Sequence, residues 1–287
     1  MHTLGQWAIV LITVAVGCGL ALLAGGRGPQ WAGLPALFWL ALLAYGVQWL
    51  AFVPAYLKQT EHYYDLTGSA TYLLLLGLGL YASQGQPMAW LLGGAAGLWA
   101  LRLGSFLFRR VRKAGKDGRF DEIKPDFVRF LIAWTMQGLW VFLTLLATLI
   151  AMTAPAQAIG MVTILGLLIW AMGFAIEAVA DAQKSAFNAD PAHTGRFVNV
   201  GLWRWSRHPN YFGEILLWTG MALAASPVFV AWEWLGWLSP LFVALLLIKI
   251  SGVPLLEQRS DAKWGGQADY EAYKRNTPVL MLRPPSP

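Results

Sequence analysis

The chain has 287 residues, of which 57% are hydrophobic and only 13% charged. Soluble domains run near ~45–50% apolar and ~25% charged, so this composition excludes an ordinary soluble protein and implies an integral membrane one. The net charge of +6 is gathered in a few loops, which fits membrane topology and not nucleic-acid binding. Cys18 is the only cysteine, which excludes an intrachain disulfide and a cysteine-cluster metal site.

A spanning helix needs roughly 20 apolar residues. Apolar runs of that order lie near 5–24, 34–57, 66–84, 87–108, 128–153, 157–180, 211–228 and 231–251. The expectation is an all-α, polytopic transmembrane helical bundle of about 7–8 spanning helices, forming one integral membrane domain over 1–287. Within it, about 1–60 supplies N-terminal helices and 61–287 the core. The first run is long enough to span, so it reads as a helix and not as a cleaved leader.

Cations orient the bundle. Lys58 follows the second run, Arg109 to Arg129 the fourth, Lys184 to Arg207 the sixth, and Lys249 to Arg283 end or follow the eighth. The connections after the third, fifth and seventh runs carry no Lys or Arg, and the first carries only Arg27. This alternation follows the positive-inside rule. It predicts a multi-pass membrane protein with both termini and the basic loops cytoplasmic. The long polar segments 58–65, 109–127, 181–208 and 252–287 then share one side.

Ionisable residues at membrane depth are costly unless paired or facing water. Arg102 lies inside the fourth run. Glu177 and Asp181 are four apart at the end of the sixth, with Lys184 three further on, so all three share a helix face. In the seventh, Asn210, Glu214 and Trp218 form an i, i+4, i+8 line beside Tyr211. Tyr64 and Asp65 stand at the start of the third. Together they predict one polar cavity, open to the cytoplasm. Arg27, Lys58 and Lys249 read instead as side chains that reach for the interface. Trp264, Tyr270 and Tyr273 read as anchors of a C-terminal cap over the bundle.

The stretch Gly201 to Gly220, GLWRWSRHPNYFGEILLWTG, is the densest in chemistry. Pro209 favours a helix start, because its missing N–H falls where donors lack partners anyway. Arg207 and His208 stand beside that first turn, where an anion is favoured. Arg112, Arg119, Arg196, Arg204 and Arg207 offer fork-shaped donors for phosphate oxygens. The carboxylates suit ribose hydroxyls or a carboxamide. The chain lacks a P-loop, the glycine-rich dinucleotide fingerprint and a histidine metal pattern, so a nucleotide would bind in a non-Rossmann way, and no metal is expected.

The segment Arg207-His208-Pro209-Asn210-Tyr211-Phe212-Gly213-Glu214 resembles the C-terminal signature of the membrane steroid 5-alpha-reductase family. It also resembles the sterol reductases and, more loosely, the isoprenylcysteine carboxyl methyltransferases. The nearest resemblance is to the bacterial branch of steroid 5-alpha-reductase-like proteins, through YDLTGS (Tyr64 to Ser69), RFDEIKP (Arg119 to Pro125), WTMQGLW (Trp134 to Trp140) and GLWRWSRHPNYFGE. It runs from about residue 60 to 280.

The resemblance implies a helical-bundle oxidoreductase with NADPH in a cytoplasm-facing cofactor cavity. Its substrate would be a hydrophobic small molecule, a lipid-like conjugated ketone such as a 3-oxo-4-ene steroid. By motif, Asp181 takes the place of a nucleotide-contacting aspartate and Glu177 that of an asparagine four residues earlier. Asn210 matches an asparagine near the nicotinamide, Glu214 the carboxylate that follows it, and Arg102 an arginine on the corresponding helix. Tyr64-Asp65 aligns with the Gln-Glu pair that holds the ketone in the animal enzymes, and Trp99 with their tyrosine. Tyr64 and Asp65 are therefore the expected catalytic pair. Arg102, Arg112, Arg119, Glu177, Asp181, Lys184, Arg196, Arg204, Arg207, His208, Asn210, Tyr211 and Glu214 are the expected cofactor-binding set. Expected partners are the lipid bilayer and the small-molecule substrate, with no nucleic acid and a monomeric state. Two other readings stay open: an S-adenosylmethionine-dependent membrane methyltransferase, and a sterol- or lipid-binding membrane protein without catalysis.

Overall fold

The computed structural model describes residues 3–114 and 120–284, with side chains for 4–107 and 120–284. Arg119 and the side chain of Arg112, both expected in the cofactor set, lie outside the described residues. The helices are α1 (Thr3–Ala24), α2 (Ala36–Leu57), α3 (Tyr64–Ala82), α4 (Pro87–Ala114), α5 (Phe127–Thr153), α6 (Met161–Ala189), α7 (Pro209–Ala225), α8 (Leu238–Leu245), α9 (Val253–Trp264) and α10 (Ala268–Asn276). Two strands of two residues each, β1 (Gln30–Trp31) and β2 (Leu34–Pro35), pair antiparallel between α1 and α2. The protein is thus an all-α, polytopic membrane bundle. Among the described residues, six helical segments are long and apolar enough to cross a bilayer. Of the other expected spans, α7 is 17 residues long, and α3, at 19, starts with polar residues.

The chain folds as two compact units, residues 1–163 with 224–239, and residues 164–223 with 240–287. The first holds α1–α5. Its central helix is α5, whose apolar window is 78% buried, against 28% for that of α1. Asp126 caps α5 by accepting from the Arg129 N–H at 2.9 Å, an arrangement that satisfies one of the donors left over at a helix start. α1, α2, α3 and α4 all pack on α5, so the boundary expected near residue 60 runs through this unit. Tyr45 of α2 is fully buried and donates to the Thr13 carbonyl at 2.8 Å. Its ring fills space left by Gly17 of α1 and Gly138 of α5; a Cβ on Gly138 would fall 2.8 Å from it.

Two ion pairs hold the loops of this unit. Arg27 sits 2.7 Å from buried Glu233 and donates to the Val228 carbonyl at 3.1 Å. Glu233 also accepts from the Val230 N–H at 2.8 Å, which fixes the 3-10 segment Ala231–Trp237. Arg27 therefore has a defined partner where the sequence suggested only an interfacial reach. Lys124 lies 2.5 Å from Glu61, whose side chain is 2% exposed.

The second unit is organised by contact between α6 and α7. Gly166 and Gly173 on α6 are seven residues apart, as are Gly213 and Gly220 on α7. A Cβ on Gly173 would lie 2.6 Å from the Gly213 carbonyl oxygen, and one on Gly213 would lie 2.6 Å from the Glu177 nitrogen. A Cβ on Gly220 would lie 2.6 Å from the Gly166 oxygen. Within a bilayer, helix association relies on this kind of backbone approach, because lipid is as apolar as leucine. The eighth apolar run is not one regular helix. α8 passes into a π turn at Leu246–Ile250 and gives way at Gly252 to α9.

Two predictions follow from this packing. Gly213→Ala should destabilise the protein by about 1–3 kcal/mol, as overpacking does, while Gly77→Ala, which has open space around it, should not; thermal unfolding in detergent reads the difference. Lys124→Met should cost about 3–5 kcal/mol, because it removes an ion pair from a buried carboxylate. The hydrogen bond to Glu61 raises the Lys124 pKa above its ordinary value. Its contribution is therefore complete below the usual lysine range and is lost as pH rises through the raised value. A stability profile at alkaline pH should show that loss in the wild type and not in Lys124→Met.

Candidate functional site

The loop between α6 and α7 is built by its own backbone requirements. Gly201 has φ +55°, and a Cβ there would overlap the Gln183 side chain. Gln183 Oε1 accepts from the Leu202 N–H at 2.8 Å. Trp203 is then buried, with its indole N–H donating to the Ala180 carbonyl of α6 at 2.9 Å. Ser206 Oγ accepts from the His208 N–H at 3.1 Å and donates to the Leu280 carbonyl at 2.9 Å. Pro209 opens α7 as expected. The segment after α10 straps this loop: Arg207 N–H donates to Pro278 O, and Arg283 N–H to Trp205 O.

Against this frame lies a pocket of about 410 Å³. Its polar lining comes from Lys184 and Asn188 of α6, Arg196, Arg207 and His208 of the loop, and Glu257, Ser260 and Lys263 of α9. Its aromatic lining is Phe197, Trp203, Trp264, Tyr270 and Tyr273. The Lys184 ammonium lies 4.7 Å over the Trp203 ring, and that of Lys263 4.5 Å over Trp264. Trp264, Tyr270 and Tyr273 pack around Phe197 with centroids 6.1, 5.3 and 5.2 Å away. Expected as anchors of a cap, these three rings are walls of the pocket. Tyr273 donates to the Trp203 carbonyl at 2.7 Å, and burial raises its phenol pKa.

Glu257 ties the basic residues together. Its Oε1 is 2.8 Å from His208 Nε2 and its Oε2 is 2.7 Å from Arg207 Nη1. Although close enough for an ion pair, Arg207 Nη1 makes no hydrogen bond, and neither does the buried Nε. Buried His208 Nδ1 is also without a hydrogen bond. The two Arg207 N–H groups are costly to leave without a hydrogen bond in a protein interior and match the oxygens of an anion. Glu257 was not among the expected residues. It lies in a segment where acids and bases alternate, and only the fold singles it out.

Of the expected residues, Lys184, Arg196, Arg207 and His208 line this pocket together. Asn210 Nδ2 donates to Asp181 Oδ1 at 3.3 Å, and Asn210 Oδ1 is buried without a partner. Glu177 is 2% exposed and Asp181 8%; both lie on α6, Glu177 beside Gly213 of α7. Glu214 and Tyr211 are half-buried on α7, where the Tyr211 ring stacks on His208 at 5.5 Å. Arg204 is exposed and is not part of the lining. Tyr64, Asp65 and Arg102 belong to the first unit. The Tyr64 hydroxyl donates to the Ala133 carbonyl at 2.9 Å, and its ring packs on Phe120 and Trp134. That proton holds α3 to α5. Asp65 is half-buried in the first turn of α3.

Residues 51–277 match the model of a family described as "Protein of unknown function (DUF1295)". The chain belongs to that family. Every lining residue of the pocket falls inside the DUF1295 segment. An uncharacterized protein of Schizosaccharomyces pombe is 27% identical over 203 residues, which covers 60% of this chain and 58% of the yeast protein. The match thus spans little more than half of that relative's length. No solved structure matches significantly.

Glu257→Ala in this DUF1295 protein should lower stability by about 1–2 kcal/mol, since the carboxylate is partly exposed and solvent screens the lost pairs. Glu257→Gln, which keeps one acceptor, should recover part of it. Thermal unfolding in detergent at two salt concentrations checks both.

Proposed function

We propose that the protein is a membrane oxidoreductase that reduces a conjugated carbon–carbon double bond in a lipid-like ketone, with NADPH as cofactor and a 3-oxo-4-ene steroid as the expected substrate. The observation that carries this reading is the pocket of α6, the Arg207 loop and α9. It has several cations, one carboxylate already engaged with Arg207 and His208, and five aromatic rings. Charge-assisted donors of this kind suit phosphate oxygens, and the aromatic faces suit a purine ring. A volume of about 410 Å³ lies in the usual range for small-molecule sites, ~300–1,000 Å³, and suits the phosphate-bearing adenosine end of a dinucleotide. The resemblance of Tyr64 to Ser69 and of Gly201 to Glu214 to reductase motifs supports the same reading.

NADPH, when bound, supplies a hydride. The chain supplies the rest. Arg207, Arg196, Lys184 and Lys263 would hold phosphate oxygens, and Trp203 and Trp264 would hold the adenine plane. Asn210 offers its unspent Oδ1 to an amide N–H. By the resemblance, Asp65 would polarise the ketone oxygen and so draw electron density from the conjugated system. In this reading the pocket faces the cytoplasm and the protein acts as a monomer.

Purified protein in detergent should gain roughly 5–10 °C of thermal stability from NADPH at a hundredfold excess over Kd, and S-adenosylmethionine should give no shift. Arg196→Ala and Lys263→Ala should each weaken NADPH binding about tenfold, and added salt should weaken it in the wild type. Asp65→Ala should keep the thermal shift and lose NADPH oxidation with a 4-ene-3-ketosteroid. A shift with S-adenosylmethionine alone would replace the reading with a methyltransferase. NADPH binding without oxidation by any enone lipid would leave a binding protein.

A further inference from the structure

A second cavity lies in the first unit, far in character from the one above. It measures about 690 Å³ and is lined by Gln6 and Ile9 of α1, Ile123 of the preceding loop, and Asp126, Arg129, Ile132 and Ala133 of α5. α1 and α5 pack against each other, and both begin at this groove. Polar lining comes from the helix starts, at Gln6, Asp126 and Arg129. Apolar lining comes one turn later, at Ile9, Ile132 and Ala133, roughly 5 Å along the helix. The groove therefore runs from a charged rim to a greasy floor along the direction in which α1 and α5, both spans by length and composition, enter the bilayer.

Two features fix the depth and the charge. Trp7 and Phe127 flank the groove with ring centroids 6.4 Å apart and are 40% and 41% exposed. Half-exposed aromatic rings at the ends of spans mark the level of lipid head groups. The rim carries one carboxylate and one guanidinium, three residues apart, yet no ion pair joins them among the described residues. Asp126 spends one oxygen on the backbone N–H of Arg129. The Arg129 guanidinium makes one long bond, 3.3 Å, to the Glu122 carbonyl. Opposite charges that face the same groove without meeting are matched by a head group that itself carries both signs.

We infer that this groove is a binding site for a zwitterionic phospholipid with a primary ammonium head group. Its phosphate rests on Arg129, its ammonium on Asp126, and an acyl chain lies along Ile9, Ile132 and Ala133. A choline head group lacks N–H donors for Asp126. A glycerol head group keeps the phosphate but brings no cation to Asp126. Both bind less well.

The test uses the full chain, purified and stripped of lipid. Phosphatidylethanolamine, phosphatidylglycerol and phosphatidylcholine with identical acyl chains are added in turn, and retained lipid is read by native mass spectrometry. One equivalent of phosphatidylethanolamine should be held roughly tenfold more tightly than the others. Asp126→Asn, which keeps the helix cap, and Arg129→Gln should each erase that preference. Ile132→Trp, which fills the floor, should lower retention of all three; Ile9→Trp reads the same floor from α1 should Ile132→Trp fail to fold. Brominated acyl chains should quench Trp7 in the wild type. Equal retention of the three lipids, preference for phosphatidylglycerol, or a preference untouched by Asp126→Asn and Arg129→Gln would overturn the inference. None of these outcomes bears on NADPH binding, which is measured separately.

Discussion

The second unit depends on two helix backbones touching. Gly173 and Gly213 have no side chain because none fits: each would push its Cβ into the other helix's main chain. That contact lets the Asn210 amide reach Asp181, and it sets Glu177 against α7. A larger residue at either glycine would force the two backbones apart. Here close packing serves polar chemistry, since buried carboxylates are tolerable in a membrane protein only with partners at hand.

The same requirement repeats wherever charge is buried. Glu61 has Lys124, Glu233 has Arg27, and Glu257 has Arg207 and His208. The first two pairs hold the loops of the first unit and read as structure. In both, the acid is buried and a base stands within 2.7 Å of it. The third differs. There one carboxylate serves two bases, and Nε and Nη1 of Arg207 are left without a hydrogen bond. Lys184, Arg196 and Lys263 add further cations around it.

Much of the fold was legible because a bilayer imposes length and composition on every span. The apolar runs placed near 34, 66, 87, 128, 157 and 211 begin within about four residues of the starts of α2 to α7, and Pro209 marks the last of them. The end of the eighth run near 251 was legible, but its 3-10 start at Ala231–Trp237 and its π turn at Leu246–Ile250 were not, since neither leaves a mark in hydropathy. Arg27 and Lys58 looked alike in sequence; only the fold gives Arg27 a buried acid. In the site, Arg207 and His208 stood out through the motif around Pro209, and Lys184 through helical spacing. Glu257 and Lys263 did not, because pairing across some fifty residues has no local signature. Tyr64 shows the converse: its place in a motif suggested a proton donor to substrate, while its hydroxyl is spent on Ala133.

The strap formed by residues 278–283 carries a consequence for how the protein matures. The N–H of Arg207 and the hydroxyl of Ser206 find their acceptors on residues about seventy positions further along the chain. Until that stretch has been synthesised, those groups must stay hydrated, and the loop can only sample its final shape. Closure over so long a separation is slow. The hollow beside α6 therefore cannot take its final form before residues 278–283 are in place.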